Sequence, residues 1–173
     1  GTHGYCAPEA GRVEVDARPD LKAGSAEAKV QVVVRNRTGR SRKILIESDV
    51  SEEASGLVAA RGTAASEVAA GATVTVTLPA ARISQAKLWH FDHPHLYRVC
   101  CRLGSHTVEE IFGVRLIETR EGGFYLNGER VRIAGLPEQG GDTGSEHAKQ
   151  RLQMLLDSAE VRVEPAAADH PGR

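Results

Sequence analysis

Residues 88–135 read LWHFDHPHLYRVCCRLGSHTVEEIFGVRLIETREGGFYLNGERVRIAG, and this stretch decides the fold. Within it Tyr97, Val99, Cys101 and Leu103 alternate with Arg98, Cys100 and Arg102. A period of two sends successive side chains to opposite faces, so the segment is a strand with one apolar face. Gly104-Ser105 supplies a turn, and a further strand is expected from Thr107 to Phe112. The pattern changes after Thr119. Gly122-Gly123 opens a tight unit in which Phe124-Tyr125-Leu126 and Glu129 to Ile133 flank Asn127-Gly128. Asn-Gly between two strand-like runs is the strongest short hairpin signal, because both residues of a type I′ turn need positive φ.

Upstream, the same alternation recurs. Val13, Val15 and Ala17 alternate with charged residues, Val30, Val32 and Val34 with Lys29, Gln31 and Arg35, and Ile44 and Ile46 with Lys43 and Glu47. Val74, Val76 and Leu78 alternate with threonines. Arg37-Thr38-Gly39 and Ala70-Gly71 are turns, whereas residues 51–72 are weakly patterned and only Leu57-Val58 could start a strand. Short strands, turns and no intervening helix predict an antiparallel β-sandwich over 12–119, with Val30, Val32, Val34, Val99 and Cys101 inside. Residues 1–11 read as a loose N-terminal segment. Downstream, Gly140 to Gly144 is a loop, and a helix is expected from Ser145 to Ser158, with Ala148, Leu152, Leu155 and Ala159 on one stripe. Thr143 and Glu146 have capping-box spacing, with Ser145 as the rival cap. Val161-Arg162-Val163 is a second short strand, and strand–helix–strand implies a parallel α/β arrangement.

The order Leu88-Trp89, Pro94, Leu96-Tyr97, Phe112-Gly113-Val114-Arg115, Phe124, Leu126-Asn127-Gly128 and Ile133-Ala134-Gly135 resembles glycoside hydrolase family 2, which holds β-galactosidases, β-glucuronidases and β-mannosidases. The resemblance covers about Arg12 to Val163 and is generic before Leu88. It implies a mainly β chain: an immunoglobulin-like antiparallel β-sandwich over 12–119, then the truncated start of a TIM-barrel, (β/α)8, catalytic domain over 120–173. In such a sandwich Trp89 and Tyr97 pack inside; a sugar-stacking platform is the alternative role for Trp89. Arg115 is expected to make an ion pair or cap carbonyls at the sandwich–barrel junction.

The family's two catalytic carboxylates are both Glu, the acid/base preceded by Asn. The asparagines here are Asn36 and Asn127, and neither precedes Glu. A complete barrel needs roughly 200–250 residues, and only residues 134–173 follow Ile133. No catalytic residue is therefore expected, and the chain alone should be inactive. Where the family continues its first barrel strand with Asn-Arg-His, this sequence has Leu136-Pro137-Glu138. Glu138 and Asp142 would lie on the first βα loop and are the candidate substrate-binding residues, with solvated loop carboxylates as the plain alternative.

His90, Asp92, His93 and His95 are the candidate metal ligands, weighed against a polar turn; no metal or cofactor is expected. Asn36-Arg37-Thr38 fits the N-glycosylation pattern but reads as a turn. A net charge of -1 gives no field for nucleic acid, and no apolar run reaches a membrane-spanning length. Three cysteines without regular spacing, Cys6, Cys100 and Cys101, read as free thiols, Cys101 buried. No signal peptide is visible, the chain opens on Gly1 as a piece of a longer protein would, and localisation is left unassigned.

The expected role is a structural and interface module of a family 2 glycosidase. Its partners are the neighbouring domains, and carbohydrate is met only through the complete parent. The alternatives are a free-standing immunoglobulin-like sugar-binding or adhesion module, or a degenerate truncated paralogue.

Overall fold

The computed structural model describes residues 7–133 and 161–164. Twelve strands and no helix are present among them. By contacts the chain divides into two units, Gly1–Trp89 with Pro94–Val114, and His90–His93 with Arg115–Arg173.

The first unit holds two antiparallel sheets. In one, β1 (Glu9–Asp20) and β2 (Ser25–Arg35) form a hairpin, and both β5 (Thr73–Thr77) and β6 (Ala81–Ile83) pair with the other side of β2. The hairpin closes because Asp20 Oδ1 accepts the amides of Lys22 and Ala23, while Gly24 takes a φ of 70° that a side chain would resist. β1 begins at Glu9, inside the stretch read as loose, and a bulge between Ala10 and Arg12 shifts its register. The other sheet has the order β4 (Val58–Val68), β3 (Arg42–Glu52), β7 (Tyr97–Leu103), β8 (His106–Phe112).

The alternation sets which face is buried. Val30, Val32 and Val34 of β2 pack with Ile44, Ile46 and Val50 of β3 and with Tyr97, Val99, Cys101 and Leu103 of β7 in one core. The expected register holds, since Val30, Val32, Val34, Val99 and Cys101 are all at most 1% exposed. A slip of one residue would have turned each of them outward.

The second unit contains one described sheet of order β12 (Val161–Glu164), β11 (Glu129–Ile133), β10 (Gly123–Leu126), β9 (Ile117–Arg120). The Asn-Gly hairpin is present: Leu126 pairs with Glu129, and Asn127 and Gly128 have φ of 53° and 87°. The parallel arrangement expected downstream is corrected. β12 pairs antiparallel with β11, Val163 opposite Val131 and Val161 opposite Ile133. Alternation marks that a strand exists but carries nothing about its direction, which depends on how the chain returns. The expected helix over 145–158 lies outside the described residues.

Candidate functional site

Trp89 and the histidines singled out by sequence lie between β6 and β7. In the sandwich unit, the Trp89 amide donates to the Val114 carbonyl at 2.8 Å, and Trp89 bridges to Pro94. Trp89 is half-buried and lies against Gly113, where an added Cβ would meet Trp89 Cβ, Cδ1 and Cγ at 3.0–3.1 Å. Glycine at 113 thus permits a close approach that a side chain would crowd. Tyr97 is buried in the core, stacks on Phe112 at 5.9 Å between centroids and accepts the Lys87 amide on its hydroxyl at 2.9 Å. Both needs of a buried tyrosine, an apolar body and a partnered tip, are met.

The histidine-rich turn sets its candidate ligands in two local pairings. His90 and His93 exchange two backbone hydrogen bonds of 3.1 Å. In the second unit, His90 Nε2 lies 3.3 Å from Glu129 Oε1, and Nδ1 lies 3.9 Å from Asp92 Oδ2. These carboxylates address opposite nitrogens of one ring, so they diverge rather than converge on an ion. His93 and His95 are exposed, and no group of three His, Cys, Asp or Glu suited to a metal ion occurs among the described residues. Glu138 and Asp142 lie outside the described residues. Arg115 is half-buried at the start of the second unit's main segment.

Asp49, Glu53 and Glu109 are tied into ion pairs on the outer face of the β3–β7–β8 region. Arg98 receives Glu53 through two contacts of 2.8 Å and Glu109 through one of 2.6 Å. That hydrogen bonding holds the Glu53 carboxyl below its ordinary range. The Ser55 hydroxyl and then Lys87 do the same for Glu52. A general acid for glycoside cleavage needs the opposite shift, upward. Two open grooves on this face share Glu47 and Arg102. Arg102 and Arg61 both pair with Asp49, at 3.1 and 3.3 Å, and with Glu47 also in the lining the formal charges of the second groove cancel. Burial pushes the Cys101 thiol up to about 11.

Two asparagines that the sequence places only in turns make side-chain bonds with no local signal. Asn36 is fully buried at the end of β2. Its Nδ2 donates to the carbonyls of Arg40, Val68 and Ala69 at 2.8, 2.9 and 3.1 Å, and its Oδ1 accepts the Thr38 amide and hydroxyl at 3.0 and 2.6 Å. A buried, committed amide cannot take a glycan in this fold. Asn127 clamps Leu116, its Oδ1 accepting the Leu116 amide and its own amide donating to the Leu116 carbonyl, both at 2.8 Å.

The model for glycosyl hydrolases family 2 matches residues 12–115. A protein of Formosa agariphila with a provisional β-glucuronidase name is 34% identical over 101 residues, 54% of this chain and 10% of that protein. A family 2 member from Bacteroides cellulosilyticus superposes with a TM-score of 0.65 at 25% identity, over 73% of this chain and 17% of that one. A family 2 β-galacturonidase from Eisenbergiella tayi gives 0.63 at 18% identity, over 88% of this chain and 27% of its own, a likeness of fold. The chain spans about a tenth of the length of the curated relative and little more than a quarter, at most, of these solved ones.

Proposed function

Since the chain belongs to glycosyl hydrolases family 2, we propose that it serves as a non-catalytic structural and interface module of a longer glycosidase that cleaves β-linked glycosides. The observation that carries this reading is a coincidence of boundaries. The family match runs over 12–115, and the two-sheet unit ends at Val114. What matches is the sandwich, in which Asp49, Glu52, Glu53 and Glu109 are engaged in ion pairs.

The sandwich is immunoglobulin-like on this reading. It is supported by an antiparallel β1-β2-β5 sheet sharing one core with β4-β3-β7-β8. The domain division carried forward is 1–11 as an N-terminal segment, 12–119 as the sandwich and 120–173 as the start of a (β/α)8 barrel. The β10–β11 hairpin supports the last part. β12 counts against it, because neighbouring barrel strands run parallel. Nuclear Overhauser contacts joining both Val131 with Val163 and Ile133 with Val161 in the longer protein, the antiparallel pattern, would rule the barrel reading out.

The principal test is turnover of 4-nitrophenyl β-glucuronide and β-galactoside. This chain should release no nitrophenol above buffer, whereas the longer protein containing it should cleave one of the two. Turnover by this chain alone overturns the proposal. Calorimetric binding of a sugar to this chain would favour a sugar-binding module instead.

A further inference from the structure

β4 is the terminal strand of its sheet, and no described strand pairs with its other side. A free edge presents a row of backbone donors and acceptors that templates another strand. The usual protections are sparse. Val58–Val68 contains no proline and no lysine, and its register irregularity lies at its start, opposite Val50 and Ser51, leaving Ala60–Val68 regular. Gly62, Thr63, Ala64, Ala65 and Ser66 are small and let a second backbone approach closely.

The charges select both the partner and the register. Arg61 and Glu67 are the only charged residues of β4, and both are exposed. Their separation is even, so they project from the same face. In a two-fold antiparallel pairing of β4 with β4, only the register centred on Ala64 sets Arg61 opposite Glu67 of a second copy, and by symmetry does so twice. Centring on Thr63 or Ala65 leaves both charges opposite neutral residues. Opposite charges directly across a ladder stabilise it, and like charges destabilise it. Within the chain, Asp49 engages Arg61 through Nε and Ser41 engages Glu67 through Oε2. The terminal nitrogens of Arg61 and Oε1 of Glu67 therefore remain for a partner. At the far end the Val68 carbonyl is occupied by Asn36, which confines the pairing to Arg61–Glu67.

We propose that two copies of this chain associate through antiparallel pairing of their β4 edges, centred on Ala64, in an isologous dimer that joins their four-stranded sheets. The test is sedimentation velocity of the 173-residue chain over a concentration series. The wild type should pass reversibly from monomer to dimer. Arg61→Glu should remain monomeric where the wild type is dimeric, because it sets Glu against Glu67 twice. Arg61→Glu combined with Glu67→Arg should restore the dimer. Should Arg61→Glu fold poorly by circular dichroism, hydrogen exchange on the wild type decides instead: amides in 61–67 should exchange more slowly as concentration rises. A wild type monomeric throughout, a dimer indifferent to the well-folded single substitution, or a dimer whose 61–67 amides are unprotected would overturn the proposal.

Discussion

Replacing Gly113 by alanine tests the geometry at the exit of the sandwich. The added methyl would stand 3.0 Å from Trp89 Cβ and Cδ1 and 3.1 Å from Cγ. Carbon pairs are most comfortable at about 3.5–4.0 Å, so three contacts are each short by at least about 0.4 Å. Gly113 does not have a positive φ, so the penalty is steric rather than conformational. One of the three atoms is Trp89 Cβ, which cannot swing away without its backbone, and that backbone is held by the bond from Trp89 N to Val114 O. Overpacking of this kind costs about 1–3 kcal/mol. Restricting the unfolded chain returns about 0.4–1 kcal/mol. The net loss should be about 1–2 kcal/mol, a fall in Tm of about 4–10 °C for a domain of this size. Urea unfolding followed by fluorescence reads it directly, since Trp89 is the sole tryptophan. Gly39→Ala is the control, because nothing lies within 4 Å of a Cβ there. A midpoint for Gly113→Ala equal to or above wild type would refute the reasoning.

Asn36→Ala should cost about 2 kcal/mol, since it strands the buried carbonyl of Val68, worth about 1–3 kcal/mol unpaired, whereas the Ala69 carbonyl keeps the Ala72 amide; urea titration measures it, and a change under about 1 kcal/mol would show that water replaces the amide. The Glu53–Arg98 contribution should be complete above the unfolded carboxyl's 4.5 and be lost as pH falls through the lower folded value. Glu53→Gln should therefore flatten the acid limb of a stability–pH curve, and an unchanged limb would exclude the pair as its source. With its thiol raised to about 11, Cys101 should resist iodoacetamide in the native state while half-exposed Cys100 is alkylated, as peptide mapping would show; equal labelling would contradict the burial. Because the unfolded thiol titrates first, stability should also fall as pH rises from 9.0 toward about 11, and Cys101→Ser should remove that part of the fall.

The sandwich was legible wherever alternation used large side chains. Val30, Val32 and Val34 declare their face, as do Tyr97, Val99 and Cys101. β4 escaped the same reading because its inward positions are Ala60, Gly62, Ala64 and Ser66, too small to give contrast. Its existence comes from pairing with β3, a tertiary cause. Asn36 reads locally only as part of a turn, since its partners Val68 and Ala69 lie more than thirty residues away. Trp89 was expected inside the core; it is half-buried instead, and the glycine beneath it is the sharper constraint. The Asn127-Gly128 hairpin was legible because type I′ geometry is written in its two residues. The direction of β12 was not, because no local rule encodes it.

β7 lies at the centre of its sheet, between β3 and β8, and pairs with a strand completed some fifty residues earlier, as in Val50 opposite Val99. Such a contact closes a long loop before any packing rewards it, which slows folding. During synthesis the β3–β4 hairpin must wait, one flank of β3 open, until residues 97–103 clear the ribosome. At about 5–20 residues per second the delay lasts seconds. The order of strands in the sheet thus becomes a schedule. The sandwich of a nascent chain closes late, and until then the inward faces of both hairpins, Val30, Val32 and Val34 with Ile44, Ile46 and Val50, are apolar surface open to a chaperone.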